Sequence, residues 1–245
     1  MRPEVSIVAP AWNEAANVKK FYDSVRAALE NEPQAVEFII VDDGSTDETA
    51  ARVRELRLAD PNVRLVRLQR NFGNQAALMA GLRAARGRAI VTMDCDLQHP
   101  PQELPRMLAA WRAGGVVVQM IRRGNPDAGL LKRATSKCFD RLLRHLTNLA
   151  LAEGSGDFRL IDAGIVERLL RFSDARPFYR GMIAWLGLPV EYLEYEALAR
   201  ASGHSGIGFR KRLRLSLDGI TALTIRPLRL ALLLGGMAVI VSLLY

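Results

Sequence analysis

Cysteine is almost missing from this chain. The two present, Cys95 and Cys138, give no disulfide framework and read most simply as small buried fillers in a reducing compartment. No G-x-G-x-x-G occurs, which disfavours a dinucleotide fold. Internal repeats, low-complexity tracts and an obvious interdomain linker are also lacking. The N-terminus has no apolar core of the signal-peptide kind. A net charge of +8 with a pI near 10.0 calls for an anionic partner, either nucleic acid, an acidic lipid surface or a phosphorylated substrate. The basic stretches are interleaved with leucine instead of aromatic residues, so the stacking platforms of a nucleic-acid binder are missing and no nucleic-acid partner is expected.

What is present is an alternating α/β pattern. The chain has 245 residues and 49% hydrophobic content, enough for one substantial α/β domain plus a small appendage. Apolar runs predict strands at Val5 to Ala9, Val36 to Val41, Val63 to Leu68, Ala89 to Met93 and Val116 to Ile121. Helical patterns of crossover length separate them, the first with an apolar face of Val18, Phe21, Tyr22, Val25 and Leu29. That order specifies a mostly parallel sheet.

Three of these strands run into polar ends, where open α/β sheets place their ligands. Pro10-Ala11-Trp12-Asn13-Glu14 follows the first, Asp42-Asp43-Gly44-Ser45-Thr46-Asp47 the second and Asp94-Cys95-Asp96-Leu97-Gln98 the fourth. Ser45 and Glu48 have the spacing of a capping box that would start the next helix. Carboxylates as close as Asp94 and Asp96 repel unless a cation lies between them, and hard oxygen donors suit Mg²⁺ or Mn²⁺ carrying substrate phosphates. A solvated acidic loop is the alternative for the D-x-D taken alone.

In order along the chain, Pro10 to Glu14, Val41 to Asp47, Arg70-Asn71-Phe72-Gly73-Asn74-Gln75, Asp94 to Pro101 and Gly156-Asp157-Phe158-Arg159-Leu160 resemble the motifs of inverting GT-A glycosyltransferases. More narrowly, they resemble the polyprenyl-phosphate branch, which includes dolichol-phosphate mannose synthases and bacterial undecaprenyl-phosphate glucosyltransferases. The resemblance implies a GT-A nucleotide-sugar fold over residues 1–204. It implies transfer of a sugar from a nucleoside-diphosphate sugar to polyprenyl phosphate with inversion, feeding cell-envelope or glycan modification. By the same resemblance, Pro10, Trp12, Glu14 and Asp42 hold the base and ribose, Asp94 and Asp96 the ribose and metal, and Gln98 completes the shell of a Mg²⁺ or Mn²⁺. Asp157 occupies the catalytic position beside Asp96. A phosphate acceptor is already anionic near neutral pH, so Asp157 has an orienting role open to it as well as that of a base. Arg122, Arg123, Arg159, Arg200 and Ser205 are the candidates for the acceptor phosphate.

Other candidates carry two readings. His99 is an extra metal ligand or a packing residue before Pro100-Pro101, and Gln75 caps a helix or belongs to the site. One departure from the family pattern stands out: Gly206 follows Ser205 where the family generally has Lys. The Q-x-x-R-W signature of processive synthases is absent, which argues against a growing polysaccharide as acceptor. Another lipid or saccharide acceptor, or a catalytically weak membrane-binding module, remains the alternative.

Past Ile121 the composition shifts to Arg, Lys and Leu. Leu130 to Leu149 and Phe209 to Leu223 read as basic amphipathic helices suited to an anionic lipid interface. The expected order after the catalytic domain is therefore a juxtamembrane helix at 205–227 and an incomplete membrane segment at 228–245. From Leu230 to Tyr245 no residue is charged, a length of roughly 24 Å as a helix against about 30 Å of hydrocarbon. Arg226 and Arg229 precede it, so the positive-inside tendency leaves the catalytic domain facing the cytoplasm of a membrane-associated protein. Homo-oligomerisation is left open.

Overall fold

The computed structural model describes residues 3–32, 35–123, 152, 154–171, 179–196 and 226–245. The chain divides into two compact units, one of residues 1–126 with 152–205 and the other of 127–151 with 206–245. Arg200, Ser205, Gly206 and the two basic amphipathic stretches lie outside the described residues.

In the first unit the order is β1 (Val5–Ala11), α1 (Val18–Ala28), β2 (Val36–Asp42), α2 (Thr49–Ala59), β3 (Val63–Arg67), α3 (Asn74–Ala84) and β4 (Ala89–Thr92). A 3₁₀ turn at Pro101–Glu103 leads into α4 (Leu104–Arg112), then β5 (Val117–Arg122), β6 (Ser155–Asp162), α5 (Ala163–Leu170), α6 (Tyr179–Trp185) and β7 (Glu191–Tyr195). Among the described residues one sheet runs β3-β2-β1-β4-β6-β5-β7. All neighbouring pairs are parallel except those made by β6, which runs against both β4 and β5.

The five expected strands are present within two residues of their expected ends. β6 and β7 were not expected. Both interrupt their apolar positions with charge, as in Asp157-Phe158-Arg159 and Glu191-Tyr192-Leu193-Glu194, so the apolar run that marks a central strand is missing.

Each residue of β1 and β2 is buried because helices cover both faces of the sheet. Side chains alternate between the faces. Ile7, Ala9, Phe38, Ile40 and Val91 pack with Phe21 and Val25 of α1 and Met107 and Leu108 of α4. Val8, Ile39, Val41 and Ile90 pack with Leu78, Met79 and Leu82 of α3 and with α5 and α6. Full burial of side chains such as Phe21 and Leu78 contributes on the order of 1.5–3 kcal/mol each. At the far end of the sheet, buried Glu37 accepts hydrogen bonds from the Ser6 hydroxyl and the Arg86 N–H and pairs with Arg64 at 3.2 Å.

The second unit contributes α7 (Arg226–Leu244). It exposes Leu232, Leu233, Met237, Val239, Ile240, Val241, Leu243 and Leu244. Among the described residues no helix is long and apolar enough to cross a membrane.

α3 approaches the sheet closely because Gly81 faces it. A Cβ at that position would lie 2.3 Å from Val8 Cγ1 and 3.0 Å from Val41 Cγ2, both on stiff β-branched side chains. Gly81→Ala is expected to lower stability by roughly 1–3 kcal/mol despite the better helix propensity of alanine, measured by urea unfolding.

Candidate active site

The C-terminal ends of β1, β2 and β4 lie side by side, with Ala11 opposite Asp42 in the register and Val8 opposite Thr92. The loop after β2 is the organiser. Its Ser45 hydroxyl accepts the Asn13 N–H at 2.9 Å, and Asn13 Oδ1 accepts the Thr46 N–H at 3.0 Å. The Glu14 N–H donates to Thr49 Oγ1 at 2.9 Å and the Ala15 N–H to Asp47 Oδ2 at 3.2 Å. Ser45 therefore serves the β1 loop, and no side-chain cap bond forms at Glu48, the N-cap of α2, so the expected capping box is absent. Asp47 takes over part of that task by accepting the Thr49 N–H at 2.9 Å.

These contacts fix the nucleotide-side candidates. Pro10 is buried in β1, while Trp12 stands half-exposed just beyond it. Glu14 is held by its backbone and by a side-chain bond from Asn17. Asp42 is fully buried, its Oδ1 accepting the Ser45 N–H at 2.8 Å and its Oδ2 lying 3.1 Å from Arg67 Nε. Arg67 escaped the sequence reading. It is the last residue of β3 and sits opposite Asp42 in the sheet register, a placement that only the pairing reveals.

After β4 the chain turns through Leu97 in the left-handed region, with φ of 63°. Asp94 and Asp96 are both half-buried, and Asp96 Oδ1 accepts the Gln98 N–H at 3.1 Å. His99 packs beneath this turn. Its ring stacks on Phe158 at 4.9 Å and its Nδ1 accepts the Asp94 N–H at 2.9 Å, which uses the lone pair a metal would need. His99 is thus a packing residue that holds Asp94.

Among the described residues no group of three or more His, Cys, Asp or Glu side chains is placed to hold a metal. A Mg²⁺ site of this kind takes one or two carboxylates and completes its shell with phosphate and water. Asp94 and Asp96 fit that donor chemistry. Burial first, and then the charges of Glu14, Asp96 and Asp94, push the Cys95 thiol well up, so three carboxylates bear on one buried point. A cation at this turn would relieve their repulsion.

The unexpected strand β6 supplies the other side. Its antiparallel pairing sets Arg159 opposite Thr92, so Asp157 arrives beside the end of β4. Both side chains are buried. The Asp157 carboxylate accepts from Asn74 Nδ2 at 3.1 Å and Gln75 Nε2 at 3.3 Å. Arg159 donates to the Gly156 carbonyl at 2.8 Å and lies over the Tyr179 ring at 4.7 Å. Arg122 ends β5 and Arg123 follows it. Arg123 Nε pairs with Glu194 at 2.9 Å, whereas the exposed Arg122 side chain has no ion pair or hydrogen bond among the described residues.

The family described as Glycosyl transferase family 2 matches residues 6–170. This chain is a family 2 glycosyltransferase. The uncharacterized glycosyltransferase YkcC of Bacillus subtilis (strain 168) is 35% identical over 228 residues, covering 93% of this chain and 71% of that protein. The bactoprenol glucosyl transferase of Shigella phage SfV is 34% identical over 242 residues, covering 99% of this chain and 79% of the phage protein. Among solved structures, the mannosyltransferase PcManGT from Pyrobaculum calidifontis, in complex with GDP-Man and Mn²⁺, shares the fold with a TM-score of 0.63 at 22% identity. That likeness covers 92% of this chain and 65% of the other.

The family 2 enzyme's loop clamp has a titratable member in Asp47. Burial alone would raise its carboxyl, but the Thr49 hydroxyl, the Thr49 N–H and the Ala15 N–H outweigh it and hold the carboxyl below the usual range. A depressed folded value means stability that is present above the unfolded value and lost as pH falls through the folded one. Asp47→Ala is expected to cost about 1 kcal/mol at neutral pH, the size of a lost helix cap. In chemical unfolding curves the gap from the unsubstituted protein narrows only as the pH falls below the usual carboxylate range.

Proposed function

We propose that this enzyme transfers a hexose from a nucleoside-diphosphate sugar to polyprenyl phosphate with inversion, at the membrane and on the cytoplasmic side. The observation that carries the reading is the similarity to the phage bactoprenol glucosyl transferase over 99% of the chain. The geometry supports it, since one sheet edge gathers a carboxylate-rich half from β1, β2 and β4 and an Asp157–Arg159 half from β6.

On the donor half, Trp12 presents a flat face to the base, and Asp42 and Asp94 take the ribose. Asp94, Asp96 and Gln98 would hold Mg²⁺ or Mn²⁺, which when bound neutralises charge on the departing diphosphate as a Lewis acid. An acceptor phosphate oxygen attacks the anomeric carbon from the face opposite the diphosphate, forming the new C–O bond as the old one breaks. Because that oxygen is already anionic, Asp157 orients the acceptor side and no side chain has to remove a proton. Arg122 and Arg159 meet the acceptor phosphate with charge-assisted bonds, whereas Arg123 is engaged by Glu194. The exposed apolar side chains of α7 support association with lipid through the segment from Leu228 to Tyr245.

The deciding experiment incubates the full chain with radiolabelled UDP-glucose, UDP-galactose or GDP-mannose and undecaprenyl phosphate in detergent. Label in the chloroform phase is expected with one donor, abolished by chelator and restored by Mg²⁺ or Mn²⁺. Asp96→Asn lowers metal affinity while leaving the domain folded. Equal transfer to uncharged polyprenol would move the assignment to another acceptor. In the same assay Arg122→Ala raises the acceptor KM about tenfold or more, and Arg123→Ala changes it less.

A further inference from the structure

Gln75, the second residue of α3, reaches across to β6 where a helix-capping role would have kept it local. Its Nε2 lies 3.3 and 3.4 Å from the two oxygens of Asp157. Its Oε1 accepts the backbone N–H of Tyr179, the first residue of α6, at 3.0 Å. We infer that Gln75 is a positioning residue for Asp157, and that the Tyr179 N–H sets the direction in which its amide faces. The inference rests on the reading of Asp157 as part of the acceptor side.

Donors and acceptors decide how the amide lies. A glutamine amide has a donating end and an accepting end of nearly equal size, so its neighbours decide which way it lies. The flipped amide would set oxygen against a carboxylate and N–H against N–H, both repulsive. A single orientation therefore survives, and it directs a donor at Asp157. Asn74 adds a second neutral donor at 3.1 Å. Amides fix a carboxylate without contributing charge of their own.

The backbone is held from the same place. Thr92 Oγ1 donates to the Asp157 carbonyl, and the Tyr179 hydroxyl lies 3.2 Å from Thr92 Oγ1. Tyr179 is fully buried, and that burial pushes its phenol up to about 12, so it stays neutral across the working range. One residue of α6 thus bounds Asp157 from two directions, through the Gln75 amide and through Thr92.

The test compares Gln75→Leu, which keeps the bulk without donors, and Gln75→Glu, which sets a second carboxylate against Asp157. With the full chain, radiolabelled UDP-glucose and undecaprenyl phosphate, kcat for Gln75→Leu is expected to fall about 10- to 100-fold, with donor KM within about twofold. Gln75→Glu falls similarly at pH 8 and recovers towards pH 6, because the paired carboxylates share a proton. Independently of turnover, carbon NMR of labelled aspartate should show the Asp157 titration raised in both variants, more in Gln75→Glu. The inference is overturned by a kcat within twofold of the unsubstituted enzyme, by loss that only follows loss of folded protein, or by an unmoved Asp157 titration. A shifted titration in a protein that transfers no label sustains the positioning and refutes the proposed activity, so the two failures are told apart.

Discussion

A buried carboxylate that ties two loops together governs the catalytic edge. Asp43 accepts the Phe72 N–H at 2.8 Å and the Gly73 N–H at 2.9 Å, joining the loop after β2 to the loop after β3. Burial is the main reason that its carboxyl is raised, and the adjacent Asp42 adds to it, against the lowering by the two N–H groups. The same segment grips the loop after β1 through Ser45, Thr46 and Asp47. Gly44 makes the arrangement possible, with φ of 67° and a would-be Cβ only 2.4 Å from the backbone of Arg70. No side chain fits there, so the Arg70 loop sits directly on Gly44. Much of what looks in the sequence like an acidic binding motif is the scaffold that holds Trp12, Asp42 and Phe72 in place.

That scaffold explains a division of labour among the acids. Asp43 and Asp47 are consumed by backbone N–H groups, and Asp157 by amide side chains. Asp94 and Asp96 stand half-buried at a strained turn and bear on Cys95 together with Glu14. Preorganisation of this kind places charge before substrate arrives, so none of the reorganisation falls on the reaction itself.

The parallel half of the fold was legible in the sequence because β1, β2, β4 and β5 are apolar runs buried on both sides, with turn chemistry between them. The acidic strand ends were legible because carboxylates directly after an apolar run stand out, although Asp43 and Asp47 serve as scaffold. β6 was not, because buried Asp157 takes its donors from Asn74 and Gln75, 83 and 82 residues away in the chain, and buried Arg159 is met by the strand's own Gly156 carbonyl and the Tyr179 ring. Arg67 and Tyr179 were hidden likewise. Arg67 matters only through its register with Asp42, and Tyr179 through a backbone N–H, a hydroxyl and a ring whose partners lie on other elements, which no local pattern encodes. Gln75 carried one faint signal: consecutive amides, Asn74 and Gln75, open a helix where a single capping residue would suffice.

The reversed direction of β6 has a consequence for how such an enzyme diversifies. β5 ends and β6 begins at the same edge of the sheet, and the Arg122 N–H is pinned to the Gly154 carbonyl at 3.1 Å. The chain that joins them therefore starts and ends at one point. Lengthening or rewriting it costs little closure entropy and leaves the register of Asp157 against β4 untouched. Selection can vary the chain there while the clamp closed by Asp43 is inherited unchanged.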